Sequence, residues 1–411
     1  MSTFTEEKLP PGFNRLAWSN LAAQSAEQVA LAAAPIVAVL LLGAGEGQTG
    51  LLQTALTLPF VLFAIPAGLM ADRLQRRWLM AGAEALRAVA LLGILGAILF
   101  NLLNMPLLAL LGFVAVCGTV VYSVAAPSLV PSLVPPQALP AANARIELAR
   151  TIAFASGPAL GGLLVGWIGA APAFGVAATL SIGAVVLLSG LSEPKRAPVT
   201  RRRNPWQEIK EGAAFVFHHD LLRPVFVTQF IFNTASFLIL AVFVPYAVRQ
   251  FGLSAAGIGL VLSMYGVGMV VGALVATRVM RFVSFGHVIG LGPVAGLAAA
   301  GVMALTTVFP TPLLAGLSFF LLGAGPILWV ISTTTLRQSV TPPRLLGRVS
   351  AINIMAYGAR PLGAGVGALV GGIYGAEACL YLAVAGFAAQ ALVIWMSRAV
   401  GLARQPEMAC D

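Results

Sequence analysis

Between residues 88 and 144 the chain contains no Asp, Glu, Lys, Arg or His, and the same gap recurs between 151 and 192. No soluble surface can be drawn from such stretches, since an average soluble domain is about 25% charged and relies on mixed charge to stay dissolved. Over all 411 residues only 9% are charged and 59% are hydrophobic. The chain must therefore live in lipid. A helix crossing a hydrocarbon layer of about 30 Å needs about 20 apolar residues. Runs of that length are expected at about 17–42, 49–70, 78–100, 105–127, 142–168 and 172–191, and again at about 223–248, 256–279, 286–308, 312–336, 346–372 and 377–398. Backbone groups in lipid must be satisfied within the segment, and long outward loops are absent, so an all-α bundle of twelve transmembrane helices is expected rather than a barrel.

Lys and Arg number 24 against 14 Asp and Glu, a formal charge of +10. Basic residues flanking a span stay on the cytoplasmic side. With both termini cytoplasmic, the basic residues fall almost wholly on one side, from Lys8 and Arg15 to Arg398 and Arg404, and only Arg249 lies clearly outside. The positive balance thus describes orientation in a plasma (inner) membrane, not a nucleic-acid partner. Arg201, Arg202 and Arg203 read as a stop-transfer and lipid-headgroup contact, worth about 1 kcal/mol per residue near an anionic surface. Glu6, Glu7, Lys8 and the Pro10-Pro11 pair precede the first apolar run, so that run is expected to serve as its own insertion signal. Cys117, Cys379 and Cys410 have no disulfide or metal spacing and are expected as free thiols.

The longest polar stretch begins at Ser192, near the midpoint. It divides the chain into a six-helix half at 1–191, a cytoplasmic linker at 192–222 and a second six-helix half at 223–411. Landmarks repeat across that divide: Ala144-Arg145 returns as Gly347-Arg348, and Gly157-Pro158-Ala159-Leu160-Gly161-Gly162 is answered by Arg360-Pro361-Leu362-Gly363-Ala364-Gly365. Spans five and eleven are then equivalent elements of two repeats.

Between spans two and three stands Gly68-Leu69-Met70-Ala71-Asp72-Arg73-Leu74-Gln75-Arg76-Arg77. One carboxylate amid three guanidinium groups at the cytoplasmic surface can pair with a neighbouring Arg or sit at a helix N-terminus. The pattern resembles motif A of the major facilitator superfamily, and the twelve spans and two-half repeat extend that resemblance over nearly the whole chain. It implies that Gly68, Asp72, Arg73, Arg76 and Arg77 form a cytoplasmic gate, closed when the cavity opens outward. The other reading is that the arginines only fix topology.

Span five carries Ala153-Phe154-Ala155-Ser156-Gly157-Pro158-Ala159-Leu160-Gly161-Gly162, which resembles motif C of drug and proton antiporters. Small residues four apart let helices approach closely, and a Pro within a span permits a bend, so Gly157, Pro158, Gly161 and Gly162 are read as a helix-bending element. Tight packing alone is the simpler alternative, and it is the reading taken for Gly268 with Gly272 and for Gly363, Gly367 and Gly371. Finer wording, from Asn14-Arg15-Leu16-Ala17 to Ala83-Glu84-Ala85-Leu86-Arg87-Ala88, is similar to the enterobactin-exporter-like branch. That branch implies efflux of siderophores, drugs or other metabolites. Span four has no Arg, so no coupling route through an arginine there transfers.

Charges within spans are costly and become functional candidates. Gln24, Glu27 and Gln28 share one face of span one. A carboxyl in a partly dry cavity can take and release a proton near neutral pH, which makes Glu27 the proton-coupling candidate; the alternative is a structural hydrogen bond to a neighbouring helix. Gln229, Asn233 and Ser236 recur at the same face in span seven, and Asn353, Tyr357 and Arg360 in span eleven, as cavity and substrate candidates. Arg360 is expected to neutralise Glu27, to meet an anionic substrate, or to form a structural pair. Glu84 with Arg87 and Glu147 with Arg150 are i, i+3 pairs, read as structural or gate ion pairs. His218, His219 and Asp220 lack further ligands for a metal.

No catalytic dyad, metal cluster or nucleotide loop stands out, so an enzyme is not expected, nor any cofactor. The expected protein is a monomeric secondary active exporter of a small organic molecule, driven by the proton gradient, with an uptake symporter or facilitator on the same fold as the alternative.

Overall fold

The computed structural model describes residues 10–135, 138–193, 205–342 and 345–406, and among them every regular element is helical. In chain order these are α1 (Pro11–Leu40), α2 (Glu46–Arg73), α3 (Arg76–Leu99), α4 (Met105–Leu133), α5 (Leu139–Trp167), α6 (Ala170–Ser189), α7 (Pro205–His218), α8 (Leu222–Phe251), α9 (Ala255–Phe282), α10 (Phe285–Leu305), α11 (Pro312–Val340), α12 (Leu346–Met355) and α13 (Ala359–Trp395). Local chemistry starts several of them: Asn104 Oδ1 accepts from the Leu107 amide at 2.9 Å, Ser254 Oγ from Gly257 at 3.3 Å and Thr311 Oγ1 from Leu314 at 3.4 Å. Gly252, in the left-handed region at φ 62, closes α8.

Among the described residues, eleven stretches are long and apolar enough to cross a bilayer, the last running over Ala356–Trp395. That last one is two limbs. Gly375 adopts φ 84, ψ 173, a conformation almost reserved for glycine, and breaks α13. Taken as 346–374 and 376–395, the limbs complete the expected twelve spans. Span eleven also departs from the uninterrupted helix the sequence led us to expect, because a 3-10 turn, Ala356–Gly358, separates α12 from α13. Pro361 accounts for it: its ring lacks the N–H and crowds the Tyr357 carbonyl four residues back. Large apolar side chains face outward in mid-helix at Val89, Ile152 and Ile182, as a surface bathed in acyl chains requires.

Contacts gather the chain into two compact units, Met1–Ala34 with Leu62–Thr200 and Pro35–Val61 with Arg201–Asp411. In the first, α3 packs on both α4 and α6 around Phe13, Leu16, Met80, Tyr122 and Leu129. In the second, α8 packs along α13, and α9 and α10 along α11, around Val225, Ile289, Trp329, Leu336 and Ile394.

The stretch read from sequence as a polar linker contains a helix. Arg201, Arg202 and Arg203 lie outside the described residues, but α7 follows them. Its Ile209, Ala213 and Val216 pack against Leu345, Val349 and Ile352. Arg348 anchors it through ion pairs to Glu211 and, at 3.9 Å, to Glu208. The two histidines are engaged locally: His218 Nδ1 meets the Ala214 carbonyl at 2.7 Å, and His219 Nδ1 accepts from the Leu221 amide at 3.2 Å. Burial holds the His219 pKa below the usual imidazole value, against an opposing pull from Asp220.

Candidate functional site

In the first unit the polar face of α1 is split by burial. Gln28 is buried, and a side chain at Gly157 of α5 would collide with its Cβ. Gly161, one turn on, would place a Cβ 2.8 Å from the Val29 carbonyl. The two glycines therefore let α5 and α1 touch backbone to side chain, with Pro158 inside an unbroken α5. Gln24 and Glu27, by contrast, are half-buried.

The same unit holds a fully enclosed ion pair. Arg87 Nη1 lies 2.8 Å from Glu84 Oε1, with side-chain exposures of 3% and 0%. The guanidinium also donates to the Ala23 carbonyl at 3.0 Å and to Thr119 Oγ1 at 2.7 Å. One cation thereby ties α1, α3 and α4 together. Glu147 and Arg150, at identical spacing, form an ion pair with side chains 56% and 34% exposed.

In the loop between α2 and α3, the side chain of Asp72 lies outside the described residues, Gly68 has open space around it, and Arg73 is exposed in the last turn of α2. What anchors the loop is a residue the sequence reading did not single out. Glu193 accepts from the amides of Arg76 at 3.3 Å and Arg77 at 3.0 Å. These are two of the donors that the start of α3 leaves without intrahelical partners, and a carboxylate there also complements the helix dipole. Arg77 Nη1 reaches the Leu191 carbonyl at 2.6 Å.

In the second unit the predicted residues of α8 and span eleven do come together. Arg360 Nε donates to Asn233 Oδ1 at 3.0 Å, and Asn233 Nδ2 donates to the Gln229 carbonyl at 2.8 Å. The Arg360 guanidinium lies 4.4 Å from the Tyr357 ring centroid and within 6 Å of the Phe60 and Phe237 rings. Within its unit, no carboxylate among the described residues pairs with it. Beside this group opens a cavity of about 300 Å³ lined by Gln229, Asn233, Asn353 and Tyr357, and also by Trp329, Thr333, Arg337 and Gln390. The sequence reading had assigned Arg337 to topology alone. Thr333 and Arg337 follow Trp329 at four-residue steps on α11, a helical-face pattern that marks the lining.

The second unit carries a further contact that sequence reasoning missed. Glu46 and Arg249, 2.6 Å apart, join the start of α2 to the end of α8. Thr49 Oγ1 donates to the Ala241 carbonyl at 2.9 Å. A Cβ at Gly50 would fall 2.5 Å from Ala368 Cα, and one at Gly47 3.3 Å from Gly372 Cα. The Gly47-xx-Gly50 spacing at the start of α2 was the available clue.

Long apolar helices with polar groups directed into the bundle define a multi-pass membrane protein. The chain belongs to the Major Facilitator Superfamily, whose family model matches residues 16–368. It is similar to the uncharacterized MFS-type transporter y4rN of Sinorhizobium fredii, 35% identical over 59% of this chain and 60% of that one. The chain thus spans three-fifths of the length of that relative. It is also similar to the enterobactin exporter EntS of Citrobacter koseri, 28% identical over 79% of this chain and 77% of that one. Among solved structures it shares its fold with a bacterial homologue of the human lysosomal transporter Spinster, TM-score 0.73 at 13% identity over 98% of this chain and 99% of that one. A D-xylose-proton symporter gives TM-score 0.71 at 15% identity over 94% and 97%.

Proposed function

We propose that this protein exports a small organic compound across the cytoplasmic membrane by proton antiport and alternating access. The similarity to enterobactin exporters over 79% of the chain carries the direction. For coupling, Glu27 is the candidate: a half-buried carboxylate on α1, one turn from Gln24. The gate motif, from Gly68 to Arg77, and the close-packed Gly157 and Gly161 are taken as the parts that hold and release the conformations. On this reading the protein is a monomer with both termini cytoplasmic, requires no cofactor and draws its energy from the proton gradient. The likeness to a D-xylose-proton symporter, which is one of fold, keeps uptake as the second reading.

Inverted membrane vesicles test both. With an inward-acid gradient imposed, an exporter accumulates its substrate in the vesicle lumen, and accumulation stops when an ionophore collapses the gradient. Uptake driven into right-side-out vesicles instead would favour the symporter. Glu27→Gln is expected to insert normally and to lose the dependence of transport on the proton gradient. Gradient-driven transport by that variant at the wild-type rate removes Glu27 from the coupling role.

A further inference from the structure

Three buried polar atoms without a hydrogen-bond partner among the described residues belong to residues lining the same cavity of the second unit: Arg337 Nε, Gln390 Oε1 and Thr228 Oγ1. Each is unusual where it stands. Thr in a helix normally returns its hydroxyl to the carbonyl four residues back, as Thr333 does to Trp329 at 2.7 Å; Thr228 does not. Gln390 is 0% exposed and spends its amide nitrogen on the Pro293 carbonyl, at 3.5 Å, while its oxygen accepts nothing. Arg337 forms neither an ion pair nor a hydrogen bond among the described residues, and its electrostatic neighbour is the Tyr357 phenol. Buried polar groups are nearly always satisfied, so a cluster of exceptions around one cavity points to a ligand that satisfies them.

The chemistry of those atoms specifies the ligand. Arg337 offers a planar set of donors suited to a carboxylate or phenolate. No Asp or Glu among the described residues lines the cavity, so none of them neutralises the guanidinium there or welcomes a cation, and Arg360 adds a second positive charge behind Tyr357 and Asn233. Gln390 Oε1 can only accept, which calls for an O–H or N–H on the ligand. Trp329, Phe232 and Tyr357 supply aromatic faces. The volume of about 300 Å³ lies at the small end of the range for small-molecule sites.

We infer that this cavity binds an aromatic organic anion bearing a hydrogen-bond donor, its negative group on Arg337 and its donor on Gln390. The inference rests on the transporter reading but not on the direction of transport. Binding is measured on the full chain in lipid nanodiscs by fluorescence polarisation, with fluorescein as probe and a cationic rhodamine ester on the same ring skeleton as control. Fluorescein is expected to bind saturably above empty nanodiscs. Arg337→Gln should weaken it about tenfold or more, the scale of a charge-assisted hydrogen bond; Arg337→Lys, which keeps the charge but not the planar donor set, should restore only part of the loss. Gln390→Leu should weaken it about fivefold, and it serves alone if Arg337→Gln fails to insert. The rhodamine ester should show no saturable binding that depends on residue 337. Absence of saturable fluorescein binding, equal affinity in the wild type and both weakening variants, or preference for the cationic dye overturns the proposal. Because binding is measured apart from transport, failure here leaves the vesicle result standing, and failure of export in vesicles leaves the binding result standing.

Discussion

Arg87 in the first unit and Arg337 in the second both carry a guanidinium into the interior of a lipid-embedded bundle, and the protein treats them in opposite ways. Arg87 is well partnered: a carboxylate, a backbone carbonyl and a hydroxyl lie at 2.7 to 3.0 Å from it. Arg337 lines a cavity with its Nε buried and unmatched. A charge in a medium of low dielectric is costly unless paired. Where the fold provides partners, the charge fastens helices to one another; where it withholds them, the charge is available to something that arrives from outside.

The sharpest way to break this contrast is to strip a partner from the well-partnered site. Arg87→Leu leaves the Glu84 carboxylate enclosed without its cation and is expected to cost about 3–5 kcal/mol, read as a large fall in the thermal midpoint in detergent. The double variant Glu84→Leu/Arg87→Leu should recover most of the loss, since an apolar pair of similar volume replaces the buried ions. A midpoint for Arg87→Leu within a degree of wild type would mean that the pair is not structural. A smaller effect is expected at Arg360→Ala, which removes one hydrogen bond to Asn233 and the stacking on Tyr357 and should cost about 1–2 kcal/mol by the same measurement. The smallest belongs to Glu147→Ala. Its ion pair with Arg150 is solvated, so the cost should stay below about 1 kcal/mol. If Glu147→Ala proves as damaging as Arg87→Leu, burial is not what separates the two pairs.

Those last two sites show where sequence reading stops. Glu84-xx-Arg87 and Glu147-xx-Arg150 are the same motif at the same spacing, and both were legible as ion pairs. Only packing distinguishes them: α3 is flanked by α4 and α6, which close over Glu84 and Arg87, while Glu147 and Arg150 stay partly exposed on α5. The cluster of Gln229, Asn233, Asn353, Tyr357 and Arg360 was equally legible, because side chains at i, i+4 and i+7 share a helix face whatever the helix packs on. The residues that complete its cavity were not. Arg337 is one of many arginines near a helix end, and Gln390 is a lone amide in an apolar run. Glu193 was hidden for the same reason, since its partners are two backbone amides and backbone groups leave no mark in a sequence.

By itself, then, the sequence determined the solvent in which this chain folds, the number of helices that cross it and the superfamily to which they belong. Those properties depend on the length and polarity of single segments, and a segment must satisfy its own backbone in lipid before it meets any other. The tertiary structure decided which of its few charges are sealed by partners and which remain open in a cavity. That outcome depends on which helices become neighbours, and for residues 64 apart, such as Arg87 and Ala23, or 127 apart, such as Arg360 and Asn233, no local pattern encodes it.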